Sequence, residues 1–205
     1  MVTYFIIALT AIISILAFNN QHLFHALVFN PYMIDSRKQG YRFVSYALLH
    51  ADWMHLLVNM FVLLSFGQAV EQFYGILFGI KGIYFYSLLY LGGILLSTAP
   101  AYARNKNNPS YNAVGASGAV SAVVFASIII SPLSPIRFVF IPVDIPAFIF
   151  GILYLIYSAY MARRGTDNIG HDAHFWGAIY GLAFTIILKP ALVTGFVNQL
   201  MGWLN

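Results

Sequence analysis

The chain has 205 residues, 60% of them hydrophobic and only 8% charged, against roughly 25% charged in an ordinary soluble domain. That is too little charge to solvate a globular surface, which excludes a soluble fold and points to an all-α polytopic membrane protein. The absence of cysteine excludes a disulfide framework, a thiolate metal site and a cysteine nucleophile, and a scattered net charge of +4 offers no face for nucleic acid.

Several apolar runs approach the ~20 residues that cross a ~30 Å hydrocarbon core. We expect one domain over residues 1–205 with six transmembrane spans, at about 2–18, 55–74, 82–100, 116–131, 144–161 and 174–189. The first run lacks a basic flank and reads as a true span, not a removable signal peptide. The connection 19–54 mixes Asp35, Arg37, Lys38, Arg42 and Asp52 with Phe24, Leu27, Val28, Phe43 and Tyr46, which suits a structured loop lying in the membrane interface. Residues 102–112 form a polar loop. Residues 131–146, punctuated by Pro132, Pro135, Pro142 and Pro146, mark a turn at the membrane face. A short polar loop at 163–171 carries Asp167, and the segment after Lys189-Pro190 is expected to lie along the surface.

Loop charges are unevenly shared. Arg37, Lys38, Arg42, Arg104, Lys106, Arg163 and Arg164 fall on the face of the first, third and fifth loops, and only Lys81, Arg137 and Lys189 on the other. Charge counting alone places the first face in the cytoplasm.

Three short motifs carry chemistry. Gly115-Ala116-Ser117-Gly118 puts a hydroxyl between glycines at the mouth of an apolar helix. Small residues there serve close helix packing, but a helix start also offers free N–H groups and a positive dipole end that stabilise an oxyanion. His174 precedes Gly177 and Gly181, which lie one turn apart and give that helix a bare face. Pressed against the helix of Ser117, that face brings imidazole and hydroxyl into reach, so His174 is the candidate base for a Ser117 nucleophile. His55 and Asn59 lie four apart on one helical face and are candidate side-chain donors to an oxyanion.

No acidic residue stands at an obvious third position, since Asp172 is two before His174 while Asp144 and Asp167 belong to loops. A Ser–His dyad is therefore favoured over a triad. Zinc held by His50, His55, His171 and His174 is disfavoured, because the chain has no His-Glu-x-x-His helix and no second carboxylate ligand. No metal and no cofactor is expected. Trp53, Trp176 and Trp203 read as interfacial anchors, Glu71 as a buried structural hydrogen-bonder, and His22 and His25 as ordinary loop residues.

His55-x-x-x-Asn59, Gly115-x-Ser117-Gly118 and Ala173-His174-x-x-Gly177-x-x-x-Gly181, in that order over nearly the whole chain, resemble the rhomboid family of intramembrane serine proteases, in the spacing of its six-span bacterial forms. The resemblance implies Ser117 as nucleophile and His174 as base. It implies an oxyanion held by the Ser117 N–H, His55 and Asn59, close approach of substrate backbone at Gly115, and a structural glutamate at Glu71. Arg42 matches the arginine of the family's Trp-Arg pair, with Tyr41 in place of the tryptophan. Many members carry tyrosine four residues after the nucleophile, where the base histidine stacks on it; here that place is Ser121.

The implied localisation is multi-pass in a cell membrane, of the bacterial inner or plasma membrane kind. The N-terminus would be cytoplasmic and the site open to the opposite side, against the charge count. The implied partners are the lipid bilayer and single-span membrane protein substrates admitted past the fifth span, 144–161, and under the loop 163–173. Two other classes compete: a catalytically silent rhomboid-like binding or sorting factor, which usually lacks the nucleophile or base, and a small transporter, which needs paired ionisable residues in several spans.

Overall fold

A computed structural model describes residues 1–138, 141–165 and 169–205; Asp167 lies outside the described residues. The order is α1 (Val2–Phe18), α2 (Gln21–Leu27), α3 (Pro31–Ser36), α4 (Arg42–Ser45), a 3-10 turn (Tyr46–Leu48), α5 (Trp53–Phe78), α6 (Lys81–Asn105), α7 (Ser117–Ile130), β1 (Pro135–Phe138), β2 (Ile141–Pro146), α8 (Ala147–Arg164), α9 (His171–Leu188) and α10 (Ala191–Leu204). Helices α5 and α6 are long and apolar enough to cross a membrane, and α9 with α10, bent by 108° at Lys189-Pro190, passes the same test as a pair. Helices α1 and α7 are apolar but shorter. The chain is a helical membrane protein.

Helix α7 is the centre of the bundle. Eleven of its fourteen residues are buried, and it touches α5, α6, α8, α9 and α10. The sequence permits this because its partners are notched. A Cβ on Gly177 or Gly181 of α9 would land on the backbone of Gly118 and Ala122 respectively, and one on Gly93 of α6 would come 2.9 Å from the Ala119 Cα. Backbone-to-backbone approach of this kind is how membrane helices gain dispersion energy where hydrophobic driving force is weak.

Helix α1 is fixed from outside its own sequence. The Glu71 carboxylate of α5 accepts the Val2 and Thr3 N–H groups at 2.7 and 3.0 Å and the Thr3 hydroxyl at 2.7 Å, satisfying donors that a helix start leaves open. Thr3 Oγ1 also lies 2.9 Å from the Tyr86 hydroxyl of α6. Glu71 is thus a structural hydrogen-bonder between helices.

The connection between α1 and α5 is ordered, and Arg42 holds it. Its side chain is 4% exposed; Nη1 donates to the His25 and Val28 carbonyls at 2.9 and 2.7 Å, and Nε to Gln39 Oε1 at 2.6 Å. Tyr41 lies under the guanidinium at 5.5 Å and donates its hydroxyl to the Ala26 carbonyl at 3.0 Å, so a tyrosine serves beside this arginine. Ser45 adds a bond to the Leu27 carbonyl at 2.8 Å.

The expected boundaries shift in several places. Helix α6 runs through Pro100 to Asn105 instead of stopping at 100, which shortens the expected polar loop 102–112. Pro100 withdraws the donor that the Leu96 carbonyl would otherwise take, a loss that a membrane helix packed in a bundle tolerates. Helix α5 begins at Trp53 and ends at Phe78, longer than 55–74 at both ends, capped by Asp52. Residues 131–146 hold a β-hairpin, so the chain is not purely α. Pro135 pairs with Pro146 and Arg137 with Asp144; the prolines sit at the ends of its two strands, where a missing donor costs least. Residues 144–146 therefore belong to β2, and the fifth apolar helix is Ala147–Arg164, not 144–161. Helix α7 starts at Ser117, with Ala116 as its cap. Helix α9 starts at His171, three residues before the expected 174, which puts His174 inside its first turn instead of at its first position.

Candidate active site

Ser117 is the first residue of α7. The turn before it is held open by Gly115 at φ +114°, a backbone region that side chains rarely adopt. The Gly115 N–H donates to the Tyr46 carbonyl at 3.1 Å, and the Tyr46 hydroxyl donates to the Ile94 carbonyl of α6 at 2.8 Å. The segment ahead is also pinned, with Phe29 and Ala113 exchanging both backbone bonds at 3.0 Å. Ser117 is thus delivered from a strapped loop onto the start of a buried helix, where the first N–H groups have no helical partner.

His55 closes on that turn from α5. A Cβ on Gly115 would meet His55 Cε1 at 2.7 Å and Nε2 at 2.9 Å, so the imidazole occupies space that only glycine leaves free. The Ala51 N–H approaches His55 Nδ1 at 3.5 Å, which assigns the ring proton to Nε2, the nitrogen facing Gly115. Asn59, one turn on, is buried and donates one amide hydrogen to the His55 carbonyl at 2.9 Å, leaving the other for a further acceptor.

His50 is a member of this cluster that sequence reasoning considered only as a zinc ligand. It is 1% exposed and meets the His55 ring edge-on, centroids 4.9 Å apart. Ser14 of α1 donates its hydroxyl to the Leu48 carbonyl at 2.8 Å and lies 3.0 Å from His50 Nδ1. The Ser14 oxygen is therefore an acceptor, and the His50 proton sits on Nδ1. His50 Nε2 is buried and has no hydrogen-bond partner among the described residues. Burial first, then the neighbouring His55, push the His50 pKa down to about 3, so the ring stays neutral beside His55 at physiological pH. The signal available in the sequence was His50 and His55 flanking the Asp52 helix cap. Among the described residues no group of histidines and carboxylates is arranged to hold a metal ion.

His174 comes from α9. A Cβ on Gly118 would lie 3.3 Å from the Ala173 carbonyl oxygen, so the residue after Ser117 abuts the residue before His174. The bare Gly177 backbone, three residues on, rests on Gly118 itself. The imidazole stacks on the ring of Tyr154 from α8, centroids 6.2 Å apart and planes 28° apart, with His171 edge-on at 5.9 Å. Tyr154 and Ser121 hydroxyls are 2.6 Å apart, and Ser121 donates to the Ser117 carbonyl at 2.8 Å. The Tyr154 O–H is then the donor to Ser121. Asp172 is engaged by Arg104 at the end of α6.

The structure thus gathers Gly115, Ser117 and His55 at the start of α7, sets Asn59 one turn along α5 from His55, and brings the His174 turn against the same point. A buried helix start enclosed by apolar helices long enough to cross a membrane defines an integral-membrane protein. The Rhomboid domain family model matches residues 37–191. Among curated proteins, the chain is 31% identical over 175 residues to Rhomboid-related protein 1 of Caenorhabditis elegans, covering 82% of this chain and 45% of that protein. It is 27% identical over 192 residues to the mitochondrial RHOMBOID-like protein 12 of Arabidopsis thaliana, covering 84% and 53%, and 26% identical over 160 residues to Rhomboid-related protein 2 of Mus musculus, covering 74% and 49%. The chain belongs to the rhomboid family, which includes serine proteases. It spans about half the length of the curated relatives it matches.

Proposed function

We propose that this chain is an intramembrane serine endopeptidase, acting through a Ser117–His174 dyad on transmembrane segments of single-span proteins. In this reading residues 1–205 form one domain with six spans, carried by α1, α5, α6, α7, α8 and α9, in a cell membrane of the bacterial inner or plasma membrane kind. The observation that carries the proposal is the contact of Gly118 with Ala173 and Gly177, which brings the nucleophile's helix start against the turn bearing the base.

In the proposed reaction His174 takes the Ser117 hydroxyl proton as Oγ attacks the scissile carbonyl. The Ser117 N–H, His55 Nε2–H and the second Asn59 amide hydrogen receive the oxyanion, each such donor being worth roughly 3–4 kcal/mol. His174 then protonates the leaving amine, and water, activated by the same base, hydrolyses the acyl-enzyme. Substrate carbonyls locked in helical bonds are not open to attack, so the segment must unwind locally, within a cavity that protein encloses.

The N-terminus is assigned to the cytoplasm and the site to the opposite side. Two of the seven cations that argue otherwise are not free loop charges: Arg42 is buried against carbonyls and Arg104 is paired with Asp172.

The test is reconstitution in lipid vesicles with a fluorescent single-span reporter, comparing the parent with Ser117→Ala and His174→Ala. Cleavage by the parent, lost in both variants, together with fluorophosphonate labelling confined to Ser117, is the expected result. Cleavage that survives Ser117→Ala overturns the site assignment.

A further inference from the structure

We infer that Tyr154, carried by α8, is a positioning residue for His174, and that its bond to Ser121 makes the readiness of the base depend on α8 being seated against α7. The inference rests on the proposed dyad and goes beyond it, because it assigns control of the base to a helix that carries neither dyad residue.

Three observations carry it. The Tyr154 ring lies nearly parallel to the imidazole, 28° between planes, whereas the His171 ring meets it edge-on. The Tyr154 hydroxyl ends on Ser121, whose own hydroxyl bonds the Ser117 carbonyl. One side chain thereby links the base to the nucleophile's backbone, across three helices. The place four residues after the nucleophile is only a serine, and the ring that fills the space beside it arrives from α8, held between Phe125 of α7 and Phe150 at 5.5 and 5.7 Å.

The second half of the inference follows from how α8 is held. Only Ala147, Gly151 and Ser158 of its eighteen residues are buried. Ile152, Leu153, Ile156, Tyr157 and Tyr160 are all more than half exposed. Helix α7 is enclosed by comparison, so relative movement falls to α8. Outward displacement of α8 strips the stack from His174 and the donor from Ser121 together. Seating α8 restores both, which sets the imidazole at one angle and limits its rotamers before any proton moves.

The experiment compares the parent with Tyr154→Leu, Tyr154→Phe and the exchange variant Ser121→Tyr/Tyr154→Leu, which moves the ring onto α7. Two readouts are taken: kcat and KM on the single-span reporter, and the rate at which a small fluorophosphonate labels Ser117, a reaction that needs the base but no helical substrate. Tyr154→Leu is expected to lower kcat and the labelling rate together by about 10- to 100-fold, with KM within about threefold of the parent. Tyr154→Phe keeps the ring and should lose only a few-fold. The exchange variant should regain at least about tenfold over Tyr154→Leu.

Tyr154→Leu labelled as fast as the parent overturns the inference and leaves the dyad standing. A parent that neither cleaves nor labels removes the dyad, and the inference with it. Should Tyr154→Leu fail to fold, the exchange variant, which leaves no cavity, decides alone: folded and labelled within about tenfold of the parent it supports the inference, and folded but inert it overturns it.

Discussion

Gly177→Ala is the sharpest test of the packing that brings the nucleophile to the base. The new Cβ would stand 2.8 Å from the Gly118 carbonyl carbon and 3.0 Å from its Cα, where ordinary contact begins at 3.4 Å. The carbon alone must retreat by the difference, 3.4 minus 2.8, or 0.6 Å. The carbonyl oxygen between them lies closer still, which brings the parting of α7 and α9 to about 1 Å. Neither partner can yield locally, because both atoms belong to helix backbones. Overpacking of this sort costs about 1–3 kcal/mol of stability, and a displacement of about 1 Å at reacting groups costs about 100-fold in rate. The expected result is therefore kcat/KM on the reporter reduced about 100-fold, or about 2.7 kcal/mol of transition-state stabilisation, with Ser117 labelling reduced in step. Gly202→Ala is the control. Among the described residues a Cβ there would meet nothing within 4 Å beyond its own helix backbone, and alanine in a helix interior stabilises by roughly 0.5–1 kcal/mol. If Gly177→Ala retains activity within about threefold of the control, the contact does not set the distance between nucleophile and base, and the reasoning fails.

Gly115→Ala combines a left-handed backbone with a collision against His55, so it should lose at least about 100-fold in kcat while thermal stability falls by only about 1–3 kcal/mol; unchanged kcat would remove His55 from the site. His50 supplies a pH dependence whose sign is fixed. Its folded pKa of about 3 lies below the ordinary 6.5, so the unfolded chain binds a proton that the fold excludes, and stability is complete above pH 6.5 and lost as pH falls toward 3. The loss by pH 5 is about 2 kcal/mol from this ring, and thermal melts of the parent and His50→Leu at pH 7 and pH 5 should show a steeper fall in the parent; parallel falls would refute it. Arg42→Lys keeps one nitrogen for the His25 and Val28 carbonyls, which both accept from Nη1 in the parent, but has no second donor for Gln39 Oε1, and should lower the thermal midpoint by an amount equivalent to about 1 kcal/mol for the lost bond; an unchanged midpoint would show that the first loop is held by its other bonds.

What could be read from the chain alone follows a physical divide. Gly115, Ser117, Gly118, Gly177 and Gly181 were legible because glycine spacing in an apolar run has few other uses, and the close contact of those backbones is present in the structure. Glu71 was legible because an isolated carboxylate among apolar residues must find donors, and it finds them on α1. The hairpin was not, because proline density marks a break in helix without telling a turn from short edge strands. The persistence of α6 past Pro100 was hidden for a related reason, since a proline that breaks an isolated helix is tolerated where packing against other helices holds the chain on both sides of it. Tyr154 was not legible, and His50 was legible only as a disfavoured zinc ligand. Each acts through a partner far along the chain, Ser121 and His174 in one case and Ser14 in the other, and no local pattern announces a contact between distant segments.

The enclosure of α7 has a consequence for where this protein opens. Amide hydrogens exchange with water through local or global unfolding, and those of a helix walled in by five others exchange only when the whole bundle gives way. The α7 amides should therefore be the slowest in the chain, and those of α8 among the fastest of the long helices. Ser117 stands at the end of the part of the molecule that yields last, while His174 leans on the part that yields first.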